Sequence, residues 1–340
     1  LIYPIAKVMF YQAGIPKRLI PATIALGAFT FTMTALPGTP AIQNAIPIPF
    51  YSTNVFAAPG LGIIASAIMF SAGMLWLMSR ARAAHANGEA YGDHGDGVEN
   101  ENISGENQMP ILLAFSPLVM VIGLNALFTY GIFPSMDFTS INTEFAALDP
   151  SKKTGLWAII VSLVIACLWL IAIAWPRWQH LQQTINKGTL GSMLPAFNTA
   201  SEVGYGAVIA SLAGFAILKD LVLNVSPNNP LISEAVAMTT LAGITGSSSG
   251  GLSIALQTLG ADYLRLAIEN NISPELLHRV AVIAAGGFDT LPHCGAIITL
   301  LSICGMNHRQ SYLNIAAVTI IGPMIALVAV ITLGTIFGSF

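Results

Sequence analysis

Long runs of apolar residues, uninterrupted by charge, dominate the chain. No Asp, Glu, Lys or Arg occurs from 19 to 79, and further uncharged stretches cover 107–136, 154–176, 235–261, 290–308 and 310–340. At ~1.5 Å per residue each is long enough for much or all of a crossing of a hydrocarbon core of about 30 Å. The alternation over ~10-residue strands that marks a membrane β-barrel is missing. The pattern predicts an all-α, polytopic membrane protein: the end of a helix at 1–13, a long apolar segment at 19–50, and spans at 58–78, 111–131, 154–175 and 311–338. Three other apolar segments carry polar interruptions. Residues 191–218 contain Asn198, Thr199, Ser201 and Glu202, residues 231–258 are Gly/Ser-rich at their centre, and residues 276–303 are broken at Leu291-Pro292-His293-Cys294-Gly295. The segment 19–50 is broken in the same manner at Leu36-Pro37-Gly38-Thr39-Pro40.

Composition agrees with this pattern. Hydrophobic residues make up 54 % and charged residues 9 %, against roughly 25 % charged in soluble domains. That excludes a soluble enzyme, a nucleic-acid binder and a disordered chain. The negative charge collects in 79–110, where Glu89, Asp93, Asp96, Glu99, Glu101 and Glu106 face only Arg80 and Arg82; this stretch reads as a solvated acidic loop. It divides the chain into 1–78, the end of a first repeat, and 111–340, a second repeat. Cys167, Cys294 and Cys304 imply no disulfide framework. The opening phrase LIYPIAKVMF has no initiator Met and no signal-peptide layout, so a preceding N-terminal part is expected. Lys17, Arg18, Arg80 and Arg82 at span ends place those ends in the cytoplasm, with Lys152 and Lys153 outside. The expected location is a bacterial inner (cell) membrane.

The two broken segments align without gaps, residues 34–42 on 289–297, with Leu, Pro, Ala and Ile shared. Unwound backbone at membrane depth survives where protein or a water-filled cavity satisfies it, and paired broken helices in two halves point to a transporter's binding site. If 231–258 is a re-entrant hairpin, the repeats are inverted. If it crosses fully, they are parallel, which Arg265 and Arg279 favour by falling on the inner side.

The centre of that segment, Gly243-Ile244-Thr245-Gly246-Ser247-Ser248-Ser249-Gly250-Gly251, suits a turn with free N–H groups and hydroxyls. Gly246 and Gly250 are expected to supply positive φ and close backbone approach. Gly246-Ser247-Ser248-Ser249-Gly250 also satisfies G-x-S-x-G, but its flanks are apolar helix rather than the strand and helix of a nucleophile elbow. No Lys follows the glycines as in a P-loop, and the six His form no metal-ligand spacing. Among acids, Asp289 and Glu202 lie within apolar segments and are candidate proton carriers. Glu234 follows Ser233 and reads equally as a helix-start residue, and Asp220 reads as an interfacial partner of Lys219.

The phrases TALPGTPAIQN (34–44), FNTASEVGYGAVIASL (197–212), LAGITGSSSGGLSIAL (241–256), GGFDTLPHCGAIITLL (286–301) and HRQSY (308–312) resemble the gluconate permease family of bacterial secondary transporters, within the ion-transporter superfamily. The resemblance covers most of the chain apart from the acidic loop. It implies two inverted repeats, each with a re-entrant hairpin and an unwound helix, and symport of a small organic acid such as gluconate, D-serine or 3-hydroxybutyrate with protons. Cys294 departs from the Asn common in the family's last unwound motif. Expected substrate contacts are Thr39, Gln43, Asn44, Thr245, Gly246, Ser247, Ser249, Gly250, Thr290 and His293, with Asp289 and Glu202 coupling protons. Expected partners are the organic acid, a proton or alternatively sodium, and the lipid bilayer; no cofactor, metal or nucleic acid is expected. A homodimer stays open, as do a passive channel and a structural membrane subunit.

Overall fold

The structure is a computed structural model, which describes residues 2–92, 94, 110–137, 153–178, 180–214, 217, 220–221, 224–226 and 229–340. Lys152, most of the acidic loop and the side chains of Asn198, Thr199 and Glu202 lie outside the described residues. Among the described residues every regular element is helical. Four helices are long and apolar enough to cross a membrane: Pro59–Ala86, Leu112–Ser135, Thr154–Ile173 and His308–Phe337. Large side chains on them face outward, among them Leu75, Leu112, Val119, Leu168 and Val328. Such a surface would drive aggregation in water but is what a helix presents to lipid. The molecule is a polytopic α-helical membrane protein.

In chain order, α1 is Ile2–Gln12, and the first broken segment splits into four short pieces: α2 Ile20–Ala28, α3 Phe31–Thr34, α4 Ile42–Ala45 and α5 Ile48–Tyr51. The fragmentation exceeds the single expected interruption. Pro37, Pro40, Pro47 and Pro49 each remove an N–H, Gly38 takes φ +78 against the Phe56 ring, and Ser52 and Ala58 are left-handed. The span α6 is Pro59–Ala86. It runs two turns past Met78, because Ser79–Ala86 is rich in the helix formers Ala and Arg; the loop therefore starts later than the charge pattern indicated. Beyond α6, Arg18 donates from Nε and Nη2 to the Glu89 carboxylate, both at 2.7 Å, which holds Glu89 below the usual carboxyl range.

Next come α7 Ile111–Ala126, α8 Thr154–Ile173 and α9 Leu181–Ser211. The Gly/Ser-rich segment is a helical hairpin of α10, Pro230–Thr245, and α11, Ser248–Glu269. Asn229 caps α10 by accepting from the Leu231 N–H at 3.1 Å. Gly246, at φ +62, ends it, and Ser247 caps α11 by accepting from the Gly250 N–H at 3.1 Å. Gly250 is helical, a correction to its expected positive φ. The close approach belongs instead to Gly251, where a Cβ would stand 2.3 Å from the Ala242 backbone. Tyr263 donates to the Ser233 carbonyl at 3.1 Å near the hairpin's other end.

The second broken segment is α12, Pro274–Ala285, a single 3₁₀ turn at Phe288–Thr290, and α13, Gly295–Ile303, bent by 56°. Leu291 is extended, as a residue before Pro prefers. The chain closes with α14, His308–Ala316, a π-helical turn at Ala317–Ile321 and α15, Gly322–Phe337. The main core joins α6, α10, α11, α12 and α15.

The hairpin's close packing is testable. Gly251→Ala puts a methyl into backbone that cannot move aside, and is expected to cost about 3 kcal/mol, the upper end of overpacking penalties. Gly188→Ala on α9 meets open space and is expected to leave stability unchanged or raise it by up to about 1 kcal/mol. Thermal unfolding of the two purified variants in detergent checks the contrast.

Candidate functional site

The two breaks and the hairpin tip meet. Gly246 lies against the His293 ring and Cys294, and His293 Nε2 donates to the Gly243 carbonyl at 3.0 Å. From the other side Gln43 Nε2 donates to Ser248 Oγ at 2.9 Å. The Ser248 side chain also lies close enough to the Asp289 carboxyl to influence it. Asp289 is 7 % exposed, and its Oδ1 has no hydrogen-bond partner among the described residues. One chain of polar contacts, Gln43 to Ser248 to Asp289, thus crosses all three elements.

Around this buried acid the rim is partly open: Gln43, Thr245, Gly246, Ser247 and Ser249 are half-buried, and His293 is exposed. Two helices begin at the rim, α11 at Ser248 and α13 at Gly295 beside Cys294. The first N–H groups of a helix lack intrahelical acceptors, and the helix dipole adds partial positive charge there. Two such ends beside hydroxyls form a place where a small carboxylate can be held without a Lys or Arg.

Not every candidate residue is equally available. Thr245 Oγ1 is committed to the Leu241 carbonyl at 2.8 Å, and Ser247 to its cap. Thr39 donates to the Thr32 carbonyl at 2.7 Å. Thr290 is buried against Thr319, hydroxyl to hydroxyl at 2.8 Å, while Tyr312 donates to its carbonyl at 3.2 Å. His308, one turn before Tyr312, donates from Nε2 to the Pro292 carbonyl at 2.9 Å. The phrase HRQSY thereby holds carbonyls that the second break sets free. Asn44 is buried with both ends engaged: Nδ2 donates to the carbonyls of Thr39 and Val55, and Oδ1 accepts from His278 and Arg279.

Sequence reasoning missed that last pair. Arg279 is fully buried, and its guanidinium donates to the carbonyls of Ala57 at 2.7 Å, Thr34 at 3.1 Å and Val55 at 3.5 Å, besides Asn44. Thr34 ends α3, and Val55 and Ala57 lie in the non-helical link between α5 and α6, so Arg279 is an internal strut and not the orientation marker it was read as. The adjacent His278 accepts from Thr53 at 2.6 Å and donates to Asn44 at 3.2 Å. Glu234 does not cap α10, since Asn229 does. It is fully buried beside Tyr51. Isolated His, Arg and Glu residues in an apolar stretch gave no signal beyond the cost of burying them.

Fold and junction together place a polar, partly open meeting point inside a polytopic helical membrane protein. Comparison with known proteins agrees: the chain is 45 % identical over 347 aligned positions, covering 98 % of this chain and 73 % of its relative, to the uncharacterized transporter YxjC of Bacillus subtilis strain 168. The chain belongs to that transporter family. No protein-family model and no solved structure matches it.

The strut predicts an asymmetry between cations. Arg279→Lys keeps the charge but cannot fork to carbonyls on several sides, and each buried acceptor left bare costs about 1–3 kcal/mol. Arg279→Lys is expected to lower unfolding stability by about 2–4 kcal/mol, and Arg279→Leu to prevent accumulation of folded protein in the membrane. Thermal unfolding and membrane yield of the two variants check this.

Proposed function

We propose that the chain is a secondary active transporter of a bacterial inner membrane that moves a small hydroxylated organic acid together with protons. The observation that carries this reading is the junction at Gly246, where two helix N-termini and the half-partnered acid Asp289 come together. The helix ends and the Ser249 hydroxyl bind the carboxylate and hydroxyls of the substrate, with Ser247, whose oxygen caps α11, able to contribute only its hydroxyl proton. Gln43 and His293 supply side-chain contacts from the two breaks. Thr39, Asn44, Thr245 and Thr290 shape the unwound backbone that the substrate meets.

Asp289 carries the coupled proton. Among the described residues its Oδ1 has no hydrogen-bond partner, so a proton can bind there and leave as the hairpin tip, Ser248 included, moves relative to Asp289. Glu202 is the reserve acid. The resemblance to the gluconate permeases supports the substrate class, with gluconate, D-serine and 3-hydroxybutyrate as probes. In this reading 1–78 is the end of one repeat and 111–340 the second, inverted one, with the 231–258 hairpin re-entrant. The partners are substrate, proton and lipid; a cofactor has no part in it.

Asp289→Asn tests the coupling, because Asn keeps the size and hydrogen bonding of Asp but cannot exchange a proton. In proteoliposomes the variant is expected to retain exchange of labelled substrate and to lose accumulation driven by a pH gradient, down to the level without a gradient. Accumulation that persists and follows pH would remove Asp289 from the role; accumulation that follows a sodium gradient instead would replace the proton.

A further inference from the structure

A second carboxyl is buried where the transport reading does not use it. Glu234, in the second turn of α10, is completely enclosed. The Tyr51 hydroxyl, from α5 of the first broken segment, donates to its Oε1 at 2.5 Å, and among the described residues Oε2 has no hydrogen-bond partner. The groups around it leave the second oxygen unanswered. Tyr263 on α11 lies nearby but gives its hydroxyl proton to the Ser233 carbonyl, and Asp262 beside it is acidic. On α12, which packs on α10, Arg279 and His278 direct their donors to Asn44 and to the carbonyls of the first segment. Among the described residues no Lys or Arg is ion-paired with Glu234. A buried carboxylate with one neutral donor and no counter-charge is expensive. A proton on the open oxygen removes the charge and leaves the Tyr51 bond intact.

We propose that Glu234 is a second proton-binding site, separate from Asp289, with Tyr51 holding one carboxyl oxygen and the proton bound to the other. The site lies on the seam between the hairpin arm and the first broken segment. Its protonation sets the charge at the hydrogen bond that ties Tyr51 to α10, and a hairpin that moves during transport must carry or release that proton. This role in transport rests on the proton-coupled reading above; the existence of the site does not.

The test needs no substrate. Infrared spectra of the full chain in lipid nanodiscs at neutral pH report protonated carboxyls by their C=O stretch, apart from ionised surface acids. Glu234→Gln is expected to remove one such band. Tyr51→Phe, which deletes only a hydroxyl, is expected to shift that same band to higher frequency, since Oε1 loses its donor. Asp289→Asn is expected to leave the band untouched. A Glu234→Gln spectrum that coincides with wild type overturns the proposal, and so does a Tyr51→Phe spectrum without a shift should the Gln variant not fold. A missing Asp289 band with the Glu234 band present would count against the coupling role of Asp289 and leave the second site standing.

Discussion

Backbone broken inside a membrane must find its hydrogen bonds within the protein, and this constraint organises the molecule. The first broken segment has carbonyls with no helical partner at Thr34, Val55 and Ala57. Arg279 collects all three with one guanidinium and takes Asn44 as well. A planar fork of five donors can do this from one point; an ammonium cannot. The second broken segment solves the same problem with His308 and Tyr312, one turn apart on α14. Each break is thereby held open by side chains from elsewhere in the chain, and the unwound stretches keep a fixed shape.

That fixed shape brings the hairpin tip into use. With Gly246 in the left-handed region and Gly251 pressed on Ala242, the α10–α11 turn is tight enough to fit between the breaks. Gly286 lets α12 lie against Thr34, where a Cβ would stand 2.5 Å from the threonine methyl. Two helix starts, three serines and one half-partnered acid then share a small region in which, among the described residues, no Lys or Arg takes part. Anion binding by helix ends and proton uptake by a carboxyl are the chemistry such a region can perform. The hairpin touches both buried acids, Asp289 by its tip and Glu234 in its first arm.

Much of this was legible from the residues. Uncharged runs located the spans, Pro and Gly in the wrong place for a helix located both breaks, and the Gly/Ser stretch located the hairpin turn. The details that failed depend on tertiary contact. The pattern could not tell Gly250 from Gly251, because both are glycines and only packing assigns the close approach. The extra breaks at Pro47 and beyond blur into an apolar run. Arg279 looked like an inner-side orientation charge since its carbonyl partners lie more than 200 positions earlier in the chain, and Glu234 looked like a cap because its partner Tyr51 lies 183 positions earlier. Local sequence carries no trace of such pairings.

The central claim is that substrate sits where the hairpin tip meets the two breaks. In a variant with Cys167, Cys294 and Cys304 replaced by Ala, a single cysteine at Ser249 or at Ser192 can be labelled by a small thiol reagent. Ser249 is on the rim, and Ser192 lies exposed on α9 and takes no part in the contacts of the junction described above. The account predicts that a transported hydroxy acid from the panel of gluconate, D-serine and 3-hydroxybutyrate slows labelling of Ser249→Cys and leaves Ser192→Cys unchanged. Equal labelling rates at Ser249→Cys with and without a transported acid would contradict it.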